Sequence, residues 1–255
     1  MNRKTLMSFM YQMRDDRKSV IIYYIVINIC YIALFVSTGV AMIGEDGAEM
    51  FFMSNGHGLP TAIFLFCACA FMENFRMLSQ NGVSRKSIFI GRLLNSVVLA
   101  LGMAIIDTII EGIYKLVSSA IGENYMFISL YDMLYEQFNG GLAVVLKVLM
   151  SLLFFFALFL FMHTLGYLMS NTFNRLGKTT KVIFAAGLPT FIFVIFPIID
   201  STFYSMQISV KIGKFLTTIL GITAQQPLYG VFSLIAGAII CSMLTWLLMR
   251  RKKVE

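Results

Sequence analysis

Charge is scarce along this chain: Asp, Glu, Lys and Arg make up 13% of the residues, against 58% that are hydrophobic. Soluble domains carry roughly a quarter charged residues, so a chain of 255 residues with this composition lacks the polar surface of a soluble globule. Cysteine is present but not as a framework. Cys30, Cys67, Cys69 and Cys241 all fall inside apolar stretches, whereas disulfides would pair cysteines in exterior loops and zinc would need hydrophilic ligands grouped beside them. They read as packing residues. Also missing are paired catalytic carboxylates, a serine nucleophile elbow and a His-Glu-x-x-His helix. There is no convincing internal repeat and no low-complexity linker, so residues 1–255 read as a single membrane domain.

What the chain has in abundance is apolar length. Six stretches stand out, at about Ser19–Gly44, Met50–Met72, Leu93–Tyr114, Val148–Ser170, Val182–Ile199 and Leu228–Met249. A helix rising about 1.5 Å per residue crosses the hydrocarbon layer in about 20 residues, and lipid leaves no water for unpaired backbone amides, so the stretches are expected to be transmembrane helices. The expected fold class is all-α and polytopic. Pro60 is placed near the outer end of the second stretch, where a missing N–H costs least. The residues before Ser19 do not read as a cleavable signal, because the apolar run is too long and no small-residue cleavage pattern follows it.

Orientation follows from the cations. Residues 1–18, 73–92, 171–181 and 250–255 hold 16 of the 20 Lys and Arg but four of the 13 acids. The positive-inside bias makes that side the cytoplasm, with both termini inside and the plasma membrane as the location. The net charge of +7 is thereby assigned to anionic headgroups and not to nucleic acid.

Three segments are expected not to cross. Leu6, Phe9, Met10 and Met13 recur at helical spacing among cations, which predicts an interfacial helix before the first span. Phe203–Val210 and Phe215–Ile222, joined by Lys211, Gly213 and Lys214, are too short to span, and read either as a re-entrant hairpin or as interfacial helices. Lys115–Gly141 mixes acids with Tyr125, Phe127, Tyr131, Tyr135 and Phe138, which predicts an exterior segment resting its rings at headgroup level.

Few groups invite chemistry. Leu176-Gly177-Lys178-Thr179 resembles the tail of a phosphate loop, but Thr172 stands where the earlier glycine is required, and a span precedes it instead of a strand. No nucleotide site is expected in this chain, and no metal or other cofactor. Asp107, Glu111 and Lys115 stand four apart on one face of the third span. They read either as an outward-facing substrate or proton path, or as an ion-paired helix end with Lys147 as a further partner. His163 has no ligand three or four residues away and reads as a hydrogen-bonded packing histidine, and His57 lies in an exterior Asn-Gly-His-Gly turn.

The loop after the second span reads Glu73-Asn74-Phe75-Arg76-Met77-Leu78-Ser79-Gln80-Asn81-Gly82-Val83-Ser84-Arg85. Phe75 and Leu78 keep helical spacing, Asn81-Gly82 predicts a helix-ending turn, and Ser84 a helix N-cap. With the interfacial segment before the first of six spans, the short second cytoplasmic loop and two short apolar pieces before the last span, this loop resembles the membrane subunits of ATP-binding-cassette exporters of the type 2 permease family. The resemblance covers most of the chain. It implies that the loop holds a coupling helix, with Glu73, Asn74, Phe75, Arg76, Leu78, Gly82, Ser84 and Arg85 as candidates for contact with a cytoplasmic ATPase subunit. It also implies a second permease subunit, identical or related, and ATP and Mg on the ATPase alone. The cargo expected is amphipathic or hydrophobic, a peptide, lipid-like molecule or drug. The alternatives are an ion- or proton-coupled carrier, an intramembrane enzyme using Asp107, Glu111 and His163, and a non-transporting immunity or sensor protein.

Overall fold

The computed structural model describes residues 3–42, 51–54, 57–70, 74–121, 125–139, 143–173, 180, 183, 187, 190–204 and 206–250. In chain order they form α1 (Arg3–Met42), β1 (Phe51–Ser54), α2 (Gly58–Ala70), α3 (Asn74–Gln80), α4 (Arg85–Ile121), β2 (Tyr125–Ile128), α5 (Leu130–Leu134), α6 (Glu136–Asn139) and α7 (Val144–Phe173). A π-helical turn, Phe191–Ile195, then leads into α8 (Phe196–Tyr204), α9 (Gln207–Ile219) and α10 (Pro227–Arg250). Glu73, most of the second cytoplasmic loop with its Leu176–Thr179 segment, and most of the expected fifth span lie outside the described residues.

Among the described residues three helices, within α4, α7 and α10, are long and apolar enough to cross a membrane. Their starts follow local chemistry. Ser84 caps α4, its hydroxyl accepting the Ser87 N–H at 3.2 Å, and Pro227 occupies the first position of α10, where an absent N–H is harmless. α3 closes in a Schellman turn: Gly82 adopts φ 70°, its N–H bonds to Ser79 O at 3.1 Å, and that of Val83 bonds to Leu78 O at 3.1 Å. The π turn precedes Pro197, whose ring would collide with the carbonyl four residues back in a regular helix.

α7 is the centre of the bundle, flanked by α10, α2 and α4, and α1 lies along α4. Small residues set how close the helices come. Ala62, Ala100, Ala104 and Ala157 are buried among Leu65, Met103, Phe154, Phe155 and Phe159, and Gly166 lets α7 approach the Phe66 carbonyl of α2. The outward faces of α1, α4 and α10 carry exposed apolar side chains such as Ile25, Ile29, Val98, Ile109, Phe232 and Ile240. Such a continuous greasy exterior suits lipid and not water.

Several expectations need correction. The stretch Met50–Met72 is not one helix. Phe51–Ser54 is a strand paired in parallel with Tyr125–Ile128, and the helix runs from Gly58 to Ala70, 13 residues with Pro60 in its first turn. At about 1.5 Å per residue the described part of α2 is roughly 20 Å long. The N-terminal amphipathic segment is not a separate helix either, since α1 continues unbroken for 40 residues. Its protein-facing side is polar (Thr5, Ser8, Gln12, Asp16), which leaves Leu6, Met7 and Met10 exposed. Tyr131 and Tyr135 do not rest at a surface. Both are buried against Phe154, and the Tyr135 hydroxyl donates to Leu220 O at 2.6 Å. Finally, Lys211, Gly213 and Lys214 are not a joint. They lie inside α9, and the break comes earlier, at Met206 with φ 62°.

Candidate functional site

Two groups of polar side chains and one surface turn concentrate the chemistry of the bundle. The first group lies where α1, α2 and the middle of α4 meet. Asp107 is fully buried and accepts a hydrogen bond from the Tyr24 hydroxyl at 2.7 Å, and the neighbouring Tyr23 and Thr61 hydroxyls are 2.8 Å apart. One turn on, Glu111 is also buried, and its Oε1 has no hydrogen-bond partner among the described residues. His57 is fully buried between the rings of Tyr31 and Tyr114, at centroid distances of 4.4 and 5.5 Å, and neither ring nitrogen is hydrogen-bonded among the described residues. Sequence reasoning gave His57 little weight. Its turn sits at the start of α2, and α1 and α4 close over it.

Glu111 also lines a cleft of about 920 Å³ between α4, the β2–α5–α6 segment and α7. Lys115, Asp132, Glu136 and Lys147 share its walls with Ile109, Ile113, Leu116, Phe127, Met133 and Val148. Lys115 is ion-paired with Asp132, a partner the sequence did not suggest. Glu111, Lys115 and Lys147 face one cleft, while Asp107 is turned to Tyr24. A carboxylate without a hydrogen-bonding donor on one oxygen, set in apolar walls with cations at the margin, is suited to an amphipathic ligand and not to a large polar one.

The second polar group ties the base of α4 to three other helices, and sequence reasoning missed it. Arg92 donates to Asp16 Oδ2 at 3.0 Å and to Cys69 Sγ at 2.6 Å, and its guanidinium lies 5.7 Å from the centre of the Tyr167 ring. Asn95 bonds to the same Asp16 oxygen, and Cys69 Sγ is 3.3 Å from His163 Nε2. Arg92 and Asp16 are 4% and 5% exposed, so this is an ion pair removed from solvent. The available signal was the spacing Arg92, Asn95, Ser96, three polar residues on one helix face. Cys69 is therefore a polar tie and not a plain packing residue, and His163 is a buried histidine in hydrogen-bonding contact with it. Among the described residues no group of three or more His, Cys, Asp or Glu stands close enough to hold a metal.

The surface turn is α3 with residues 81–84. Leu78 is buried against Ile88 and Met249, anchoring α3 to α4 and α10. Lys4 of α1 donates to Gly82 O at 3.1 Å, the Tyr11 hydroxyl lies 3.5 Å from Met77 Sδ, and Arg85 donates to Arg250 O at 2.9 Å. Gln80 and Asn81 remain exposed. Asn74, Phe75 and Arg76 are on α3, but their side chains lie outside the description. Comparison of the chain with family models, curated proteins and solved structures returns no match.

Proposed function

We propose that this chain is the permease subunit of an ATP-binding-cassette exporter, a multi-pass plasma-membrane protein with six spans and both termini in the cytoplasm. Two such subunits, identical or related, would work with two separate ATPase subunits that bind ATP and Mg. The observation that carries the reading is the bracing of the α3 turn: it is tied at once to α1 through Lys4 and Tyr11, to α4 through Leu78 and Ile88, and to α10 through Leu78 and Met249. A loop that is only a connector needs no such ties. A handle that must pass a push into the bundle does, because a rigid contact moves helices as bodies where a slack one absorbs the stroke. The chain lacks a phosphate loop of its own, so the stroke comes from outside.

In this reading closure of the ATPases presses the handles together, and the cleft at Glu111 exchanges its exposure between membrane faces. Its apolar walls and few charges favour an amphipathic or hydrophobic cargo.

The test is to purify the chain with a candidate ATPase and compare it with a Phe75→Asp, Arg76→Glu variant. Arg85 is left intact, since its bond to Arg250 O is part of the fold. Loss of ATPase capture and of coupled ATP turnover at unchanged thermal stability is expected; undiminished capture and turnover would remove the assignment.

A gradient-driven carrier is the second reading, favoured by the buried pair Asp107 and Glu111. It requires transport in vesicles without ATP and loss of that transport in Asp107→Asn.

A further inference from the structure

Away from the polar groups, α4, α7 and α10 enclose a groove of about 680 Å³. Among the described residues these are the three helices long and apolar enough to cross a membrane, so in a bilayer the groove opens onto acyl chains. Its walls are Leu93, Val97, Leu160, Ile235, Ile239 and Met243, with Lys86 and Trp246 toward one end. That end is basic. Lys86 lines it and is exposed, and Arg85 stands beside the exposed Arg250, donating to its carbonyl at 2.9 Å. The opposite assignment, a groove filled by a protein helix, would leave this cluster of cations facing an apolar partner.

We infer that this groove is a binding site for an anionic phospholipid, with an acyl chain between α4, α7 and α10 and the phosphate held at Lys86. The inference needs the helices to lie in a membrane but not the exporter assignment. Apolar walls alone would take any lipid, and discrimination comes from the rim. A basic residue near an anionic surface contributes about 1 kcal/mol, which corresponds to about a fivefold preference for the charged headgroup. Trp246 lies four residues before Arg250, so about 6 Å along the helix separates it from the basic end, the depth of the upper acyl chain. Its ring packs 5.1 Å from that of Phe89.

Because Trp246 is the one tryptophan of the chain, its fluorescence reports this groove and nothing else. The full-length chain is reconstituted alone in vesicles mixing unlabelled phosphatidylcholine with either phosphatidylglycerol or phosphatidylcholine brominated in the upper acyl chain. Brominated phosphatidylglycerol should quench Trp246 with a relative affinity several-fold above that of brominated phosphatidylcholine. Lys86→Ala should lower the ratio about fivefold, and raised salt should lower it in the native chain. Ser242→Phe, which fills the groove, should abolish the preference while circular dichroism stays unchanged. Three results overturn the inference: a ratio near one in the native chain, a ratio indifferent to Lys86→Ala, or a Trp246 that no brominated lipid reaches. The last would mean that protein, a second copy of the chain included, covers the groove.

Discussion

Replacing Arg92 by Met should be among the most damaging single changes in the protein. The substitution keeps most of the side-chain volume and removes the charge, so Asp16 is left 5% exposed with Asn95 as its remaining donor from α4. Cys69 loses its 2.6 Å contact at the same time. Removing one partner of a buried ion pair costs about 3–5 kcal/mol, because the other charge stays desolvated without compensation. The same reasoning gives Asp16→Leu a similar cost, since the buried Arg92 then loses its carboxylate partner. The double variant strands neither. An apolar pair of matching volume is commonly neutral or even stabilising by about 1–4 kcal/mol relative to the ion pair. The assay is a double-mutant cycle on detergent-solubilised protein, with unfolding followed by circular dichroism as denaturing detergent is titrated in. The reasoning predicts two strongly destabilised single variants and a double variant close to native, a coupling far outside simple additivity. It is refuted if each single change costs less than about 1 kcal/mol, or if the double costs the sum of the singles.

Two further outcomes follow from other parts of the bundle. At Gly166 a Cβ would collide with the Phe66 carbonyl oxygen and lie 2.8 Å from Cys69 Cβ, so Gly166→Val should lower stability by about 1–3 kcal/mol or more, readable in the same titration, while Gly112→Ala, with nothing within 4 Å, should be nearly silent. Asp200 accepts the Ile208 N–H at 3.0 Å, the Ser209 N–H at 2.7 Å and the Ser209 hydroxyl, capping α9 from the helix before it. Burial pulls its acidity the other way, but these donors prevail and hold the carboxyl below its usual 3.8. A lowered carboxylate pKa contributes stability that is complete above the unfolded value and disappears as pH falls through the folded one; the protection of the Ile208 and Ser209 amides from hydrogen exchange, relative to the intrinsic rate at each pH, should therefore fall below about pH 3.8, and in Asp200→Asn should be low at neutral pH as well.

The parts of this molecule that could be read from sequence are those whose signal is local. α4, α7 and α10 emerge from uniform apolar runs, and the end of α3 and start of α4 from Gly82 and Ser84, whose backbone roles depend on their immediate neighbours. Phe51–Met53 is as apolar as any helix, and its partner Tyr125–Ile128 lies more than 70 residues away, so nothing nearby marks it as a strand. The burial of Tyr131 and Tyr135 depends on Phe154 of another helix. The Asp16–Arg92 pair spans 76 residues, and both residues looked like ordinary members of a basic cytoplasmic margin. His57 was discounted because Asn-Gly-His-Gly is a surface turn in composition; here α1 and α4 cover it. The α3 turn was legible as a short helix and a sharp bend. Its ties to Lys4, Tyr11 and Met249 were not, since they require three chain segments to meet.

The central claim is that the α3 turn faces the cytoplasm and is gripped by an ATPase. It is tested most directly by placing a cysteine at the exposed Gln80, in a background that lacks the exposed Cys30 and Cys67 but keeps the buried Cys69 and Cys241, and labelling it with a membrane-impermeant maleimide. The account predicts labelling in inside-out vesicles, none in intact cells, and protection once the ATPase subunit is bound. Labelling from outside intact cells, or labelling in inside-out vesicles that the bound ATPase leaves unchanged, would contradict it.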